Sequence, residues 1–205
     1  SWTQQQKLEA SDGVAEDEFG ISVAIENDTI VVGSQSASVN GIFKAGQAYI
    51  FTTTDEGLTW TEDCSLCDAI PEVNDKFGKS VAIYGDTVVI GAPRFSYTTS
   101  FVDVFVKPSG GWGSGITPTA QLTISNVAGA PDFGYFTAIY NNIIVIGAYK
   151  DDNSSPTSNE GSVYIYVKPT SGWQNMTETA KLVASDAVPN DEFGSSVAIN
   201  NNTIA

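Results

Sequence analysis

The sequence predicts an all-β fold of repeated four-stranded blades, the arrangement of a β-propeller, and three observations predict it. One stretch recurs four times: Phe77-Gly78 opens a run that ends Val88-Val89-Ile90-Gly91-Ala92-Pro93, and related runs open at Phe19-Gly20, Phe133-Gly134 and Phe193-Gly194, spaced 58, 56 and 60 residues apart. A fixed period of this size marks a repeat architecture. Each run also carries a two-residue hairpin turn followed by a nearly unbroken apolar segment. Finally, the chain shows no sustained apolar period of 3.6, and Gly, Pro, Ser, Thr and Asn interrupt it at short intervals.

The first strand of each unit is Ser/Thr-x-Ala-Ile, and the turn after it is Asn27-Asp28, Gly85-Asp86, Asn141-Asn142 or Asn201-Asn202. These residue types tolerate the positive φ that a two-residue turn demands. The second strand is Ile30-Val31-Val32, Val88-Val89-Ile90 or Ile143-Ile144-Val145-Ile146, each closed by a glycine at 33, 91 or 147. A strand with one wet face would alternate, so a continuous apolar run implies that both faces are covered. The third strand is Ala48-Tyr49-Ile50-Phe51, Val102 to Val106 or Val163 to Val167.

The fourth strand begins near a tryptophan (Trp2, Trp60, Trp112, Trp173) and contains a leucine (Leu8, Leu66, Leu122, Leu182) that stands 11 residues before the next Phe-Gly phenylalanine. It is the most polar strand, as suits an outer edge. Four strands per unit, apolar within and polar outside, are what a propeller blade requires.

The expected organisation is one region over 1–205: an outer strand and loop of a preceding blade at 1–18, blades at 19–76, 77–132 and 133–192, and the start of another at 193–205. Either this is an excerpt of a larger propeller, the favoured reading, or the end pieces combine into a blade lacking its third strand. The 205 residues, 41% of them apolar, suffice for a real core, and no apolar run is long enough to cross a bilayer. A formal charge of −15 with no histidine disfavours a nucleic-acid partner. It also removes every His-dependent nucleophilic site and imidazole metal ligand.

The recurring Asp-x-Phe-Gly-x-Ser-Val-Ala-Ile and Ile-Val-Val/Ile-Gly-Ala-Pro pattern resembles the FG-GAP repeats, the blades of the integrin α-subunit propeller and of many surface proteins. The closest unit carries Asp75, Phe77, Gly78, Ser80, Val81, Ala82, Gly91, Ala92 and Pro93. The resemblance covers essentially the whole chain. It implies a propeller of seven blades, of which three full and two partial ones lie here, and an extracellular or cell-surface adhesive or ligand-binding role. Many family blades hold calcium in an acidic loop between the first two strands. Here those turns are two residues long, too short to wrap a cation, so no cofactor is firmly expected and calcium is not carried over to them.

Asp17, Asp75, Asp132 and Asp191 precede the Phe-Gly pairs. A carboxylate ring that attracts cations is one reading; caps on backbone N–H groups in the entry turn is the favoured one. Asp151, Asp152 and Glu160, with Asn153, cluster in one long loop and are weak metal candidates. The loops between second and third strands differ from blade to blade, and variable loops on a rigid scaffold are where binding sits. Phe43, Arg94, Phe95 and Tyr97 are the candidate ligand contacts there.

The recurring tryptophans, which could stack on sugars, are expected instead to pack between blades. Cys64 and Cys67 would lie about 10 Å apart in a regular strand, so a disulfide between them, the favoured reading for an exported protein, requires a bulge at Ser65-Leu66. Asn27, Asn153, Asn175 and Asn201 open glycosylation sequons, and three of them map to the face opposite the variable loops. The function expected is a non-catalytic propeller binding an extracellular protein or glycan. The alternatives are a structural subunit that assembles with copies of itself, and, third, a carboxylate-based polysaccharide-active enzyme.

Overall fold

The computed structural model describes residues 3–94, 100–126, 132–153 and 158–205. Three four-stranded antiparallel sheets follow one another. Blade one holds β1 (Phe19–Glu26), β2 (Thr29–Ser34), β3 (Gln47–Thr52) and β4 (Thr61–Leu66). Blade two holds β5 (Ser80–Tyr84), β6 (Thr87–Ala92), β7 (Phe101–Val106) and β8 (Ala120–Leu122), and blade three β9 (Phe136–Tyr140), β10 (Ile143–Ala148), β11 (Ser162–Val167) and β12 (Ala180–Leu182). A two-stranded piece, β13 (Ile199–Asn200) and β14 (Thr203–Ile204), follows them. Within each full sheet the strands pair in sequence order, so each blade is a meander with its fourth strand at the edge.

The hairpin turns are those the sequence predicts. Glu26 pairs with Thr29, Tyr84 with Thr87 and Tyr140 with Ile143, and the first turn residue is left-handed in every case: Asn27, Gly85, Asn141 and Asn201 have φ of 51–55°. The second strands are buried on both faces because each face meets a different neighbour. Val31, Val88 and Ile90 join one core between blades one and two, while Val89, Ile144 and Ile146 join a second core between blades two and three. Trp112 and Trp173 lie inside these two cores, which is the packing role expected of them, and Trp60 packs against Val32, Tyr49 and Phe51. Trp2 lies outside the described residues.

The Phe-Gly pair is the joint between blades. The residue before each phenylalanine (Glu18, Lys76, Asp132, Glu192) and the glycine after it are both left-handed, with φ of 54–65° and 86–90°. The double reversal drops the phenylalanine into the core, where Phe77 and Phe133 are fully buried and meet Phe105 and Tyr164 edge-on. It also presses the glycine's carbonyl onto the preceding blade. A Cβ built at Gly33 would lie 1.9 Å from the Gly78 oxygen, at Gly91 2.0 Å from that of Gly134, and at Gly147 2.1 Å from that of Gly194. Ser22 and Ser80, each paired across the sheet with Gly33 or Gly91, donate their hydroxyls to the same Gly78 and Gly134 carbonyls at 2.8 Å. Blade three carries Phe136 in place of this serine.

Two expectations need correction. Residues 3–10 form no strand; Leu8 and Ala10 pack on the Val32–Tyr49–Phe51 cluster, and Gln6 exchanges two hydrogen bonds with the Trp60 backbone at 2.8 and 2.9 Å. The second concerns Cys64 and Cys67, which are both free thiols. The irregularity of β4 falls between the Phe51–Glu62 and Ile50–Cys64 pairs, whereas Ser65 and Leu66 continue in register opposite Tyr49 and Ala48. No bulge brings the two sulfurs together.

Replacing Gly91 by alanine is expected to destabilise the fold by about 3 kcal/mol, since backbone rather than a flexible side chain obstructs the new methyl. Ser80→Ala, which removes one buried hydrogen bond, should cost about 1 kcal/mol. Urea unfolding of the two variants beside the unaltered protein checks the order; a Gly91→Ala loss smaller than that of Ser80→Ala would contradict this account of the joint.

Candidate functional site

The connections that join one blade to the next bond to the loop between second and third strands of the blade before. Asn74, Lys76 and Phe77 N–H donate to the carbonyls of Phe43, Lys44 and Ala45, and Asn190, Glu192 and Phe193 to those of Ser158, Asn159 and Glu160. Each pair of loops therefore forms one backbone-braced ridge on a common face. The aspartates of the Phe-Gly approach cap these ridges: Asp17, Asp75 and Asp191 accept the N–H of Val14, Glu72 and Val188. Asp132, one position later in its blade, pairs with Lys150 at 3.0 Å. Asp17, Asp75 and Asp191 thus carry the capping role, and Asp132 an ion pair.

Arg94 closes the ridge of blade two. Its Nε lies 2.6 Å from Asp75 Oδ1, Nη1 donates to Glu72 at 2.9 Å, and the guanidinium covers the Phe101 ring at 5.0 Å. Burial, outweighing the capping bond and the guanidinium, raises the Asp75 carboxyl above the usual carboxylate range. Arg94 thus works first as a brace. Phe43 is different: its ring is 59% exposed, and Val73 and Ile70 on the adjoining connection are 60% and 74% exposed. Phe95 and Tyr97 lie outside the described residues.

Asp151, Asp152 and Glu160 turn to separate protein partners. Asp151 accepts the Tyr164 hydroxyl at 2.6 Å and Lys181 Nζ at 2.8 Å, Asp152 accepts Asn159 N–H at 2.8 Å, and Glu160 accepts Asn153 N–H and the Ser158 hydroxyl. Among the described residues no three carboxylate, Cys or His groups gather closely enough to hold a metal ion. All four sequon asparagines are exposed. The amide nitrogen of Asn153 donates to Gly161 O and Ser162 Oγ, while Asn175 and Asn201 use their side-chain oxygens, accepting from Gln121 N–H and the Tyr140 hydroxyl.

The sequence reading missed a cavity of about 390 Å³ between blades one and two, lined by Asp68, Ile70, Glu72, Arg94, Phe101 and Asp103 and rimmed by Pro118, Gln121 and Asn175. Blade two differs from its neighbours there. At the third-strand position where the others carry Tyr49 and Tyr164, it carries Asp103, opposite Gln121 in register. The neighbours also clamp each interface with a glutamate that accepts both N–H and hydroxyl of a serine, Glu62 from Ser11 and Glu178 from Ser125. Counted from Leu66 and Leu122, the corresponding residues are Ala69 and Pro118, which cannot make that clamp. A lost tyrosine ring and a lost clamp leave the space. The signal was in the sequence as a break in an otherwise regular repeat.

Asp103 is fully buried and Asp68 nearly so. Asp103 Oδ1 accepts from Gln121 Nε2 at 3.1 Å, whereas its buried Oδ2 receives no hydrogen bond from a protein donor. Burial first, and the adjacent Asp68 carboxyl next, push Asp103 up to about 8. Asp103 therefore keeps its proton at neutral pH. Burial likewise pushes the Cys64 thiol up to about 11 and raises Cys67, so both are poor nucleophiles at neutral pH.

Two outcomes are expected. Peptide mapping without reductant should find Cys64 and Cys67 alkylated after unfolding and not bridged. The Asp103 proton, retained on folding where the unfolded chain ionises near pH 4, adds stability that is complete below that pH and is lost as the pH rises toward 8. Asp103→Asn should flatten the fall in stability between those values, whose slope for one proton is at most about 1.4 kcal/mol per pH unit. Urea midpoints across pH 5–9 measure it; parallel curves for both proteins would contradict the retained Asp103 proton.

Comparison with curated proteins gave no match. The sequence profile of the FG-GAP repeat matches at residues 2–51, 60–99, 116–166 and 176–205, the last three each running from the fourth strand of one blade into the first strands of the next. With most of its length in register with this repeat, and its described strands forming the corresponding sheets, the chain belongs to the FG-GAP repeat family.

Proposed function

We propose that this propeller-like region is a non-catalytic binding module that recognises an extracellular protein or glycan through the face carrying its variable loops. The observation that carries the reading is the exposed apolar strip of Phe43, Val73 and Ile70 beside an acidic cavity, on a chain whose formal charge is −15. Apolar side chains on a braced ridge, rimmed by polar groups, have the composition of an interface hot spot. Asn74 N–H bonded to the Phe43 carbonyl at 3.2 Å holds the two halves of the strip together, so little ordering entropy opposes binding. An extracellular or cell-surface setting accords with the family and with exposed sequons at Asn27, Asn175 and Asn201.

The absence of histidine, which leaves no imidazole to serve as a general base or metal ligand, supports the non-catalytic assignment. The described residues contain no helix long and apolar enough to cross a membrane.

Arrays of extracellular proteins and glycans, probed with the protein and with a Phe43→Ser/Val73→Ser variant, test this reading. Binding that falls at least tenfold in the variant, with its melting temperature unchanged, is the expected result; no binding, or equal binding by both, overturns it.

A further inference from the structure

We propose that the cavity between blades one and two is a binding site for a small primary ammonium compound, whose charged head takes the position between the Asp68 and Asp103 carboxyl groups. Three carboxyl groups (Asp68, Glu72 and Asp103) line this space, against the single guanidinium of Arg94. Arg94 forms its ion pairs with Glu72 and Asp75 and acts on Asp103 only at longer range. Asp103 Oδ2 is buried, is given no hydrogen bond by a protein donor, and belongs to a residue on the cavity wall. A buried acidic oxygen without a hydrogen-bond donor calls for positive charge beside it. In the free protein a proton supplies it.

The choice of ammonium over a metal ion follows from the donor set. Calcium takes six to eight oxygens, and among the described residues no group of three metal-ligating side chains gathers here or elsewhere. An ammonium has three donors to place, and the two carboxyl groups with the Gln121 amide beside them offer that many acceptors. The walls suit the rest of such a molecule: Ile70, Phe101, Pro118 and Ala120 are apolar, and about 390 Å³ exceeds what a bare ion fills but holds a short alkyl chain. Asp68 stands on the connection after β4 and lines the same space as Asp103. Repeat comparison points the same way: the neighbouring interfaces are filled by Tyr49 or Tyr164 and clamped by serine and glutamate, and this one alone of the described interfaces is left open and acidic.

Binding exchanges one cation for another. The ammonium enters with its charge, the Asp103 proton leaves to the buffer, and both carboxylates then accept N–H bonds. The groups facing the pair are Gln121 on β8, Arg94 after β6, and Cys67 and Glu72 on the connection from β4.

Calorimetric titration of the whole chain with n-butylammonium chloride at pH 7, in two buffers of different ionisation enthalpy, tests the site. The proposal expects saturable binding with one equivalent, release of up to one proton per ligand, and at least a tenfold loss of affinity in Asp103→Asn and in Asp68→Asn. Circular dichroism establishes that each variant is folded. Tetramethylammonium, which carries the charge without N–H donors, should bind at least tenfold more weakly. Heats that do not saturate, equal affinity for tetramethylammonium, calcium chloride binding in place of the amine, or unchanged affinity in both folded variants would each overturn it. The Phe43→Ser/Val73→Ser variant should bind butylammonium normally, which separates failure of this site from failure of the loop surface.

Discussion

The contact on which the structure depends is the seating of each Phe-Gly carbonyl against a glycine on the second strand of the blade before. It is a backbone-to-backbone approach: no side chain larger than hydrogen fits between Gly33 and Gly78, or between Gly91 and Gly134. Several regularities of the chain follow from it. The second strand must end in glycine at 33, 91 and 147. The residue before each phenylalanine must accept a left-handed conformation, costing about 1 kcal/mol or more for a non-glycine residue, and a cap on the approach offsets part of that strain. The phenylalanine carried inward by the reversal then fills the space that two closely set blades would leave.

Because the joint is made of backbone, it leaves the rest of each interface free to vary, and the three described interfaces use different means. Tyr49 reaches Asp12, and Tyr164 meets Asp151 together with Lys181. Between blades one and two stands the Asp103–Gln121 pair. The fold tolerates a fully buried carboxyl there because its cost is reduced by keeping the proton, and because Phe77, Phe105, Ile90 and Trp112 already secure the same interface. A scaffold held by repeated backbone contacts can accommodate one imperfectly packed interface, which is how a binding cavity can arise in a repeat protein without loss of the repeat.

Much of the architecture was legible in the sequence because it is encoded locally. Two-residue Asn, Asp and Gly turns fix hairpins, unbroken Val/Ile runs report burial on both faces, and the constant distance from Leu66 or Leu122 to the next Phe-Gly fixes the stacking of blades. Periodicity also identified the tryptophans as packing groups and the aspartates as caps. Reading failed where the outcome depends on partners distant in sequence. Lys7-Leu8-Glu9 has the pattern of a fourth strand, but a strand exists only where a neighbour offers hydrogen bonds. Cys64 and Cys67 have disulfide spacing, but the pairing of β4 with β3 keeps Ser65 and Leu66 in register and the thiols apart.

The candidate site was the least legible feature, and the reason lies in what a repeat conceals. Arg94 was singled out as an exposed cation on a variable loop, yet two carboxylates consume its charge, and a single residue type cannot reveal that. Asp103 was absorbed into an apolar third strand, Val102-Asp103-Val104, as one polar residue among hydrophobic ones. Its meaning appears only when it is set against Tyr49 and Tyr164, and when Ala69 and Pro118 are set against the serine–glutamate clamps of the neighbours. Three departures, separated by up to 49 residues in sequence, converge on one interface. In a chain whose blades are otherwise built alike, the place where independent deviations meet in space is where a specific role is to be sought.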